Sequence, residues 1–380
     1  MIPRPDAEGL GVYIHIPFCK QKCSYCDFHF STQTDYVDRM MRAMLRELGL
    51  RSGEWQGQEI RSIYFGGGTP SLLQAHHVRV FIERIQEEAS FNPGIEITLE
   101  ANPDDITEEQ VKHWKEMGVN RLSIGIQSFH DPVLRSMNRA HDSGMSKDAI
   151  AIARAGGIQD FTLDLIYGAP KLKGYRLEDD IDQMLSLEPT HLSAYSLTIE
   201  PGTAYAHQVK KGELPLPDDE ELERQFHTVV ERFAAAGYQR YEVSNFARDG
   251  RISVHNTGYW MNRPYLGIGP SAHSYHQGQR SWNVANNHQY MRGIDEGKLP
   301  SEKETLSREM AYNEYVMTRL RTIWGIDLEQ VKDKFQLDVL SHFEGTLNRN
   351  SDFFEEDQGR LVLNQAGMLR ADGLAAELFL

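Results

Sequence analysis

Six short runs of β-type residues recur through the first 200 positions, and this repetition limits the possible folds more than any other feature. They are "GVYIHI" (11–16), "RSIYFGG" (61–67), "IEITLEA" (95–101), "RLSIGIQS" (121–128), "DFTLDLIYG" (160–168) and "THLSAYSLTI" (190–199). Each run is separated from the next by enough chain for a crossover helix, so the pattern predicts six βα units. Right-handed crossovers then favour an α/β fold in which a parallel sheet curls into an incomplete, six-unit version of the eight-stranded barrel.

The first crossover segment shows the clearest helical pattern. Its apolar residues recur at i, i+4 and i+8 and are Tyr36, Val37, Met40, Met41, Met44, Leu45 and Leu48. This spacing predicts an amphipathic helix whose methionines fill the core. In the second crossover, Thr69 followed by Pro70 predicts a helix start, because proline is favoured at the first helical position.

The pattern changes after about residue 200. A turn-rich stretch is followed by a predicted helix near 219–236 and a predicted strand at 238–248, and the chain beyond 301 is mainly helical with a small hairpin and a closing helix. We therefore predict a barrel core over 1–200, an extension over 201–300 and a smaller, mainly helical C-terminal domain over 301–380.

Charge and hydropathy narrow the possible partners and compartment. With 40 basic and 55 acidic residues the net charge is −15, which opposes binding to a nucleic-acid backbone. No run approaches 18 apolar residues, and the start lacks a basic segment followed by a long apolar one, so we expect a cytoplasmic protein without a transmembrane segment. Thiols stay reduced there, which favours metal or redox chemistry for clustered cysteines.

The chain has three cysteines, and all lie just after the first predicted strand. The spacing Cys19-x3-Cys23-x2-Cys26 allows them to bind one metal centre from a single loop. A structural zinc site needs four ligands, so His15 or His29 would have to complete it. Three thiolates also suit a [4Fe-4S] cluster in which the fourth iron stays open to another chelator.

A glycine stretch, "GGGTP" (66–70), follows the second predicted strand. Glycines remove Cβ atoms, so the backbone can approach a ligand closely, although the same stretch can also be a tight connection between strand and helix. Cys19, this stretch, Glu100 and Gln127 lie at or just past the ends of successive predicted strands. In a barrel those ends share one face, so we expect these residues to converge on one mouth.

The cysteine spacing, placed on the first loop of a βα-repeat chain, resembles the radical S-adenosylmethionine (SAM) superfamily. That resemblance implies that SAM chelates the open iron through its amino and carboxylate groups and is cleaved to a 5′-deoxyadenosyl radical. The stretches "YIHIPFC", "FGGGTPSLL", "EANPDDIT", "RLSIGIQSF", "LDLIYGAP" and "LSAYSLTIEPGT" further resemble the oxygen-independent coproporphyrinogen oxidase family. The SAM contacts implied by the matching motifs are Tyr13, Gly66, Gly67, Gly68, Thr69, Glu100, Gln127, Arg139 and Asp164.

Two of these residues also have plain structural explanations. Glu100 could cap the end of its strand, and Arg139 could pair with a surface acid. The chemistry nevertheless suits SAM, because carboxylates can accept hydrogen bonds from ribose hydroxyls and an arginine offers a fork for a carboxylate.

Two departures separate the chain from the oxidase itself. First, Asp27-Phe28 follows the third cysteine where the oxidase motif continues to a further cysteine. Second, twelve residues precede Tyr13, whereas the oxidase family has a longer segment before the first strand. The stretch "HNTGYW" is instead similar to the His-Asn-x-x-Tyr-Trp motif of the haem-chaperone branch of the family. The matching residues are His255, Asn256, Tyr259 and Trp260.

That motif implies a role with haem, because a neutral imidazole can bind haem iron and aromatic rings can flank the macrocycle. If His255 is not the ligand, His273 and Tyr259 are the next candidates, and the motif would brace the second domain against the barrel.

Three functional hypotheses follow. The leading one is a haem chaperone that binds haem, a [4Fe-4S] cluster and SAM, and delivers haem to a respiratory acceptor protein, with membrane-associated acceptors among the candidates. The alternative is a coproporphyrinogen III oxidase (dehydrogenase) that forms protoporphyrinogen IX by radical SAM chemistry. The third is a zinc-stabilised binding protein. No residue is assigned a catalytic role.

Overall fold

The computed structural model describes residues 8–380, and its centre is a parallel sheet of the six predicted strands. They are β1 (Leu10–Ile16), β2 (Glu59–Gly67), β3 (Ser90–Ala101), β4 (Arg121–Gln127), β5 (Asp160–Tyr167) and β6 (His191–Ser196). Neighbours in sequence are neighbours in the sheet, and every pair is parallel. The near-continuous burial of β1, β2 and β5 is typical of strands covered on both faces.

Helices connect the six strands. They are α1 (Val37–Leu50), α2 (Ser52–Trp55), α3 (Ala75–Glu88), α4 (Glu108–Glu116), α5 (Asp131–Ser136), α6 (Ser143–Ala155) and α7 (Leu177–Ser186). The predicted apolar face of α1 is confirmed, since Met40, Met41 and Met44 are buried in the main core. The predicted helix start at Thr69 is wrong: Pro70–Leu72 form a single 3₁₀ turn, and α3 begins at Ala75.

The sheet curls on itself. Tyr64 of β2 and Tyr195 of β6 line the same cavity although three strands separate them in the sheet order. A flat sheet would hold them about 19 Å apart, at roughly 4.8 Å per strand. The incomplete (β/α)6 barrel predicted from the sequence is therefore confirmed.

The chain after β6 extends the barrel sheet at both edges. Its elements are α8 (Ala204–Lys210), α9 (Asp219–Ala235), β7 (Gln239–Arg240), β8 (Asn245–Ala247), α10 (Val254–Trp260), β9 (Tyr265–Ile268), β10 (His273–His276), β11 (Gln279–Asn283), α11 (Asn287–Asp295) and β12 (Ser301–Thr305). Strand β9 pairs parallel to β1 and leads into antiparallel β10, β11 and β12, while β8 pairs antiparallel to β6. The single strand predicted over 238–248 is wrong, because β7 and β8 form a hairpin there.

The C-terminal region packs around a core of its own. Its elements are α12 (Arg308–Leu320), β13 (Ile326–Asp327), α13 (Leu328–Phe335), α14 (Val339–His342), α15 (Glu344–Arg349), β14 (Phe354–Asp357), β15 (Arg360–Leu363), α16 (Gln365–Leu369) and α17 (Ala371–Ala376). Tyr312, Phe335 and Leu374 belong to this second core. The smaller, mainly helical C-terminal domain is confirmed, whereas the division at residues 200 and 300 stays a prediction. Within residues 8–380, no helix is both long and apolar enough to cross a membrane.

Candidate functional site

A cavity of about 680 Å³ opens at the carboxyl ends of the barrel strands. The predicted site residues that line it are Cys19, Cys23, Cys26, Gly67, Gly68, Thr69, Glu100, Gln127, Arg139 and Asp164. The volume falls in the usual range of small-molecule pockets. The expected convergence of the strand ends on one mouth is therefore what the structure has, although Tyr13 and Gly66 do not line this cavity.

The cysteine loop between β1 and α1 is fixed by hydrogen bonds to another part of the barrel. The amide of Ser24 donates to the Met137 carbonyl (2.9 Å), and Gln21 donates to the Asn138 carbonyl (2.7 Å). These acceptors immediately precede Arg139, so the loop and that arginine are positioned together. The three thiols stay partly exposed to the mouth.

The three sulfurs do not all lie close enough together for one zinc ion. In the described part of the chain they belong to no three-ligand group whose atoms all lie within 4.8 Å of one another. Tetrahedral zinc, with Zn–S bonds of about 2.3 Å, needs sulfurs about 3.8 Å apart. His15, one proposed fourth ligand, is already engaged through Nδ1 with the Tyr13 hydroxyl (3.0 Å) and through Nε2 with the His29 carbonyl (3.0 Å). The geometry therefore disfavours the zinc alternative.

The surroundings of Cys19 and Cys26 disfavour their thiolate forms. Burial raises the pKa of the Cys19 thiol to about 11, against the opposing effect of a hydrogen bond with Thr69, and burial also raises the pKa of Cys26. Metal ligation requires thiolates, so loading of a metal centre here must release protons.

The glycine stretch packs directly against the cysteine loop. Gly68 donates to the Ile16 carbonyl (2.8 Å), and Thr69 donates to the Phe18 carbonyl (2.7 Å). A Cβ on Gly68 would lie 2.5 Å from the Phe18 oxygen, which leaves no room for a side chain. Gly67 has φ +107°, and a Cβ there would lie 2.6 Å from the His15 ring, so glycine is required for both backbone shape and space.

Two half-buried carboxyl groups, Glu100 of β3 and Asp164 of β5, face the mouth. Glu100 accepts from the Tyr64 hydroxyl (2.7 Å) and from the Gly67 amide (3.1 Å). Asp164 accepts from the Ser123 hydroxyl (3.4 Å). Burial raises the pKa of each carboxyl to about 7, so each group is partly protonated and partly ionised near neutral pH. A ligand with hydroxyl groups would therefore find both hydrogen-bond donors and acceptors there.

Gln127 and Arg139 form the wall between β4 and α6. Gln127 has φ +68°, an uncommon conformation for a non-glycine residue, and sits where the pairing of β4 with β5 shifts register. Arg139 donates to the Asn102 side chain (2.6 Å), to the Gly125 carbonyl (2.8 Å) and to the Cys23 sulfur (3.5 Å). Its Nε is buried and has no hydrogen-bond partner within the described residues.

Sequence reasoning missed two residues of this wall. A Cβ on Gly125 would lie 2.9 Å from Nε2 of the Gln127 side chain and 3.2 Å from the Arg139 guanidinium. An isolated glycine inside the strand run "RLSIGIQS" was the available signal, because such glycines mark close approaches. Asn102 links Arg139 to the Thr69 hydroxyl (3.4 Å), and only its position after β3 pointed to it.

Tyr13 and Gly66 lie below the mouth. Tyr13 lines a second cavity of about 310 Å³ inside the barrel, and its hydroxyl bonds to His15. A Cβ on Gly66 would press on Tyr64 (2.7 Å) and Glu100 (3.0 Å). Gly66 therefore leaves room for Tyr64 and Glu100, and the Tyr13 ring stacks on Tyr64 with centroids 6.1 Å apart.

The HNxxYW motif also lies below the mouth, on α10. His255, Asn256 and Tyr259 line the 310 Å³ cavity, whereas Trp260 lies outside it with the Arg321 guanidinium 5.9 Å from the centre of its ring. His255 is 2% exposed, and both ring nitrogens are hydrogen-bonded, to Ser62 (2.8 Å) and to the Tyr259 hydroxyl (2.8 Å). The motif is thus separate from the cysteine mouth, and in this conformation its histidine offers no free nitrogen.

Two family models match the chain: "Radical SAM superfamily" over residues 13–184 and "HemN C-terminal domain" over 306–370. Curated relatives match it almost end to end. A protein named heme chaperone HemW from Haemophilus influenzae is 33% identical over 95% of this chain and 97% of its own length. One of the same name from Mycobacterium tuberculosis is 34% identical over 100% and 96%. The chain belongs to the HemW family of radical SAM proteins.

A third HemW-family relative, from Escherichia coli, is 35% identical over 83% of both chains. Among solved structures, coproporphyrinogen III oxidase (HemN) from Escherichia coli, described as a radical SAM enzyme, superposes with a TM-score of 0.85. The superposition covers 100% of this chain and 92% of the HemN chain, at 23% sequence identity. At that identity the match establishes the shared fold, and the superfamily implies a [4Fe-4S] cluster and SAM.

Proposed function

We propose that this protein is a haem chaperone that carries a SAM-bound [4Fe-4S] cluster and passes haem to a respiratory acceptor protein. The observation that supports this most directly is the barrel mouth, where three partly exposed cysteines meet the glycine stretch and the half-buried carboxyl groups of Glu100 and Asp164. End-to-end similarity to proteins named heme chaperone HemW supports the haem part of the proposal.

The mouth residues fit the cluster and SAM. When bound, these groups would supply one-electron chemistry. Cys19, Cys23 and Cys26 would ligate three irons and leave the fourth to SAM. The Arg139 guanidinium lines the same cavity and suits a carboxylate.

The remaining polar residues divide between the two ends of SAM. The glycine stretch, Gly67 to Thr69, would meet the methionine amino group. Glu100, Gln127 and Asp164 would hydrogen-bond to the ribose hydroxyls, since each side chain reaches the same cavity. Tyr13 and Gly66 would contribute indirectly, because the Tyr13 ring stacks on Tyr64, whose hydroxyl donates to Glu100, and Gly66 leaves space for both side chains.

For haem, we propose an axial ligand other than His255. Iron coordination through His255 would require breaking one of its two hydrogen bonds and exposing a side chain that is almost fully buried. His273, the next candidate, is exposed on β10 opposite Trp282, and the two rings stack at 6.2 Å. An exposed imidazole beside an aromatic plane is a better partner for a macrocycle.

A haem titration tests this assignment. Following the Soret band, we expect His273→Ala to weaken haem binding or shift the band, and His255→Phe to leave both unchanged. Loss of haem binding in His255→Phe alone would return the axial role to the motif. Iron content, measured in parallel, separates these outcomes from failed cluster assembly.

The coproporphyrinogen III oxidase alternative is distinguished by turnover. Phe28 stands where the oxidase motif continues to a cysteine; it is 70% exposed at the mouth, a position suited to a flat apolar partner. We expect no protoporphyrinogen above a protein-free control when reconstituted protein receives coproporphyrinogen III, SAM and a reductant. Measurable turnover would establish the oxidase instead.

A further inference from the structure

The amino end of α10 is inserted into the barrel interior and held there by one carboxylate. Glu96 of β3 accepts from the amides of Val254 and His255, both at 2.9 Å, and from the Ser253 hydroxyl (3.3 Å). A carboxylate at a helix N-terminus satisfies otherwise unpaired amides and complements the helix dipole. The position of His255 inside the barrel is therefore fixed by the fold.

From this position His255 reaches the SAM site through one aromatic ring. Its imidazole stacks on Tyr64, with centroids 4.9 Å apart and planes at 24°. The Tyr64 hydroxyl in turn donates to Glu100 at 2.7 Å. Burial, with Arg61 nearby, lowers the pKa of His255 well below its usual value, so the stacked ring is neutral.

The cavity below the mouth makes this arrangement sensitive to packing. It holds about 310 Å³, and two buried polar atoms on its wall, His191 Nδ1 and Thr98 Oγ1, have no protein partner. Buried polar atoms of this kind are normally satisfied by water. Removal of the His255 ring would enlarge this cavity directly beside Tyr64.

We propose that His255 is a positioning residue for the SAM site: it holds the Tyr64 ring, which holds the Glu100 carboxyl group in place. The HNxxYW helix then supports SAM binding from inside the barrel. This inference rests on the proposed function in one respect, the role of Glu100 as a SAM contact.

A double-mutant cycle on the cluster-loaded protein tests the coupling. Tyr64→Phe removes the hydroxyl bonded to Glu100, and we expect SAM to bind about tenfold more weakly. His255→Ala should cost about threefold to tenfold. Because both act through one hydrogen bond, the double variant should bind SAM about as well as Tyr64→Phe alone. Losses that multiply would overturn the proposal.

His191→Ala is the matched control. His191 is a second fully buried histidine on the wall of the same cavity, but it bonds to Tyr241 rather than touching Tyr64. We expect its SAM affinity to stay within about twofold of the parent while its thermal stability falls. A loss of SAM affinity equal to that of His255→Ala would overturn the proposal, because it would show that any damage to the cavity weakens SAM binding.

His255→Phe keeps the test decisive if His255→Ala does not fold or load iron. The phenyl ring can still stack on Tyr64, so SAM affinity should stay within about threefold of the parent. A loss as large as that of Tyr64→Phe would refute positioning by the ring. If the parent protein itself shows no SAM-induced change in the electron paramagnetic resonance signal of its cluster, the proposed function fails; parent binding with multiplying losses refutes only the coupling.

Discussion

Replacement of Gly68 by alanine should push the glycine stretch and the cysteine loop apart at the mouth of the barrel. The new Cβ would lie 2.5 Å from the Phe18 oxygen and 2.8 Å from the Ile16 oxygen, both backbone atoms that cannot rotate away. To reach an ordinary separation of 3.4 Å, the glycine stretch and the cysteine loop must move apart by about 0.9 Å. The hydrogen bonds that join them, now 2.7 and 2.8 Å, would then be lost or strained.

Overpacking of this kind costs about 1–3 kcal/mol. For a barrel-sized domain that free energy corresponds to a fall in melting temperature of about 2 to 12 °C. The free energy of SAM binding should fall by more than the free energy of unfolding. Cys19 directly follows Phe18, so it would be displaced from the Thr69 hydroxyl that bonds to it. The assays are calorimetric unfolding of the metal-free chain and SAM titration of the reconstituted one.

Gly49→Ala is the matched control for Gly68→Ala. Gly49 lies in the last turn of α1 with nothing within 4 Å of a new Cβ, so alanine there should be neutral or stabilising by up to about 1 kcal/mol. The reasoning is refuted if Gly68→Ala unfolds at the parent temperature and binds SAM with the parent affinity.

Three further predictions follow from the buried charges and the cysteines. Because burial raises the pKa of Glu100 and Asp164 to about 7, the folded metal-free chain binds more protons than the unfolded one between about pH 4 and 7, and its stability should fall as pH rises through that window. Glu100→Gln or Asp164→Asn should therefore raise the melting temperature at pH 8 but not at pH 4, while weakening SAM binding; equal effects at both pH values would contradict this. Cys23→Ala should reduce iron from about four per chain after anaerobic reconstitution, and stoichiometric zinc without a broad visible band would oppose the cluster assignment. Glu47→Ala should cost at least about 2 kcal/mol in chemical denaturation, because the Gly269 amide (2.8 Å) and the Asn283 side chain (2.7 Å) would lose their buried acceptor while Arg51 keeps its pairing with Glu54; a loss below about 1 kcal/mol would show that these hydrogen bonds are dispensable.

Much of the barrel could be predicted because its signals are local. The six strands and the buried face of α1 follow from residue periodicity over 6 to 14 positions. The three cysteines lie within eight residues of one chain segment, so they must stay close together in any fold. The sequence alone therefore predicted a shared metal centre. Strand-end logic then placed Glu100 and Gln127 at one mouth, since the carboxyl ends of parallel strands share an edge.

Local propensity failed where a side chain redirects the backbone. The run "YQRYEVSNFAR" has strand-like composition, yet the Glu242 carboxylate accepts from the Ser244 amide (3.2 Å) and from Asn245, and closes a turn between β7 and β8. Side-chain bonds to nearby backbone compete with extended structure in this way. Residue composition alone does not reveal which conformation wins.

The placement of the HNxxYW motif was decided by tertiary structure alone. The sequence shows only that His255 and Tyr259 are four positions apart; because the chain is helical there, they lie one turn apart and bond to each other. It could not reveal that Glu96 anchors the helix or that Ser62 and Tyr64 enclose the imidazole, because those partners lie 159, 193 and 191 positions away along the chain. A histidine's chemistry depends on which groups occupy its two nitrogens, and here distant strands of the incomplete barrel supply the neighbours that make His255 a buried support rather than an exposed ligand.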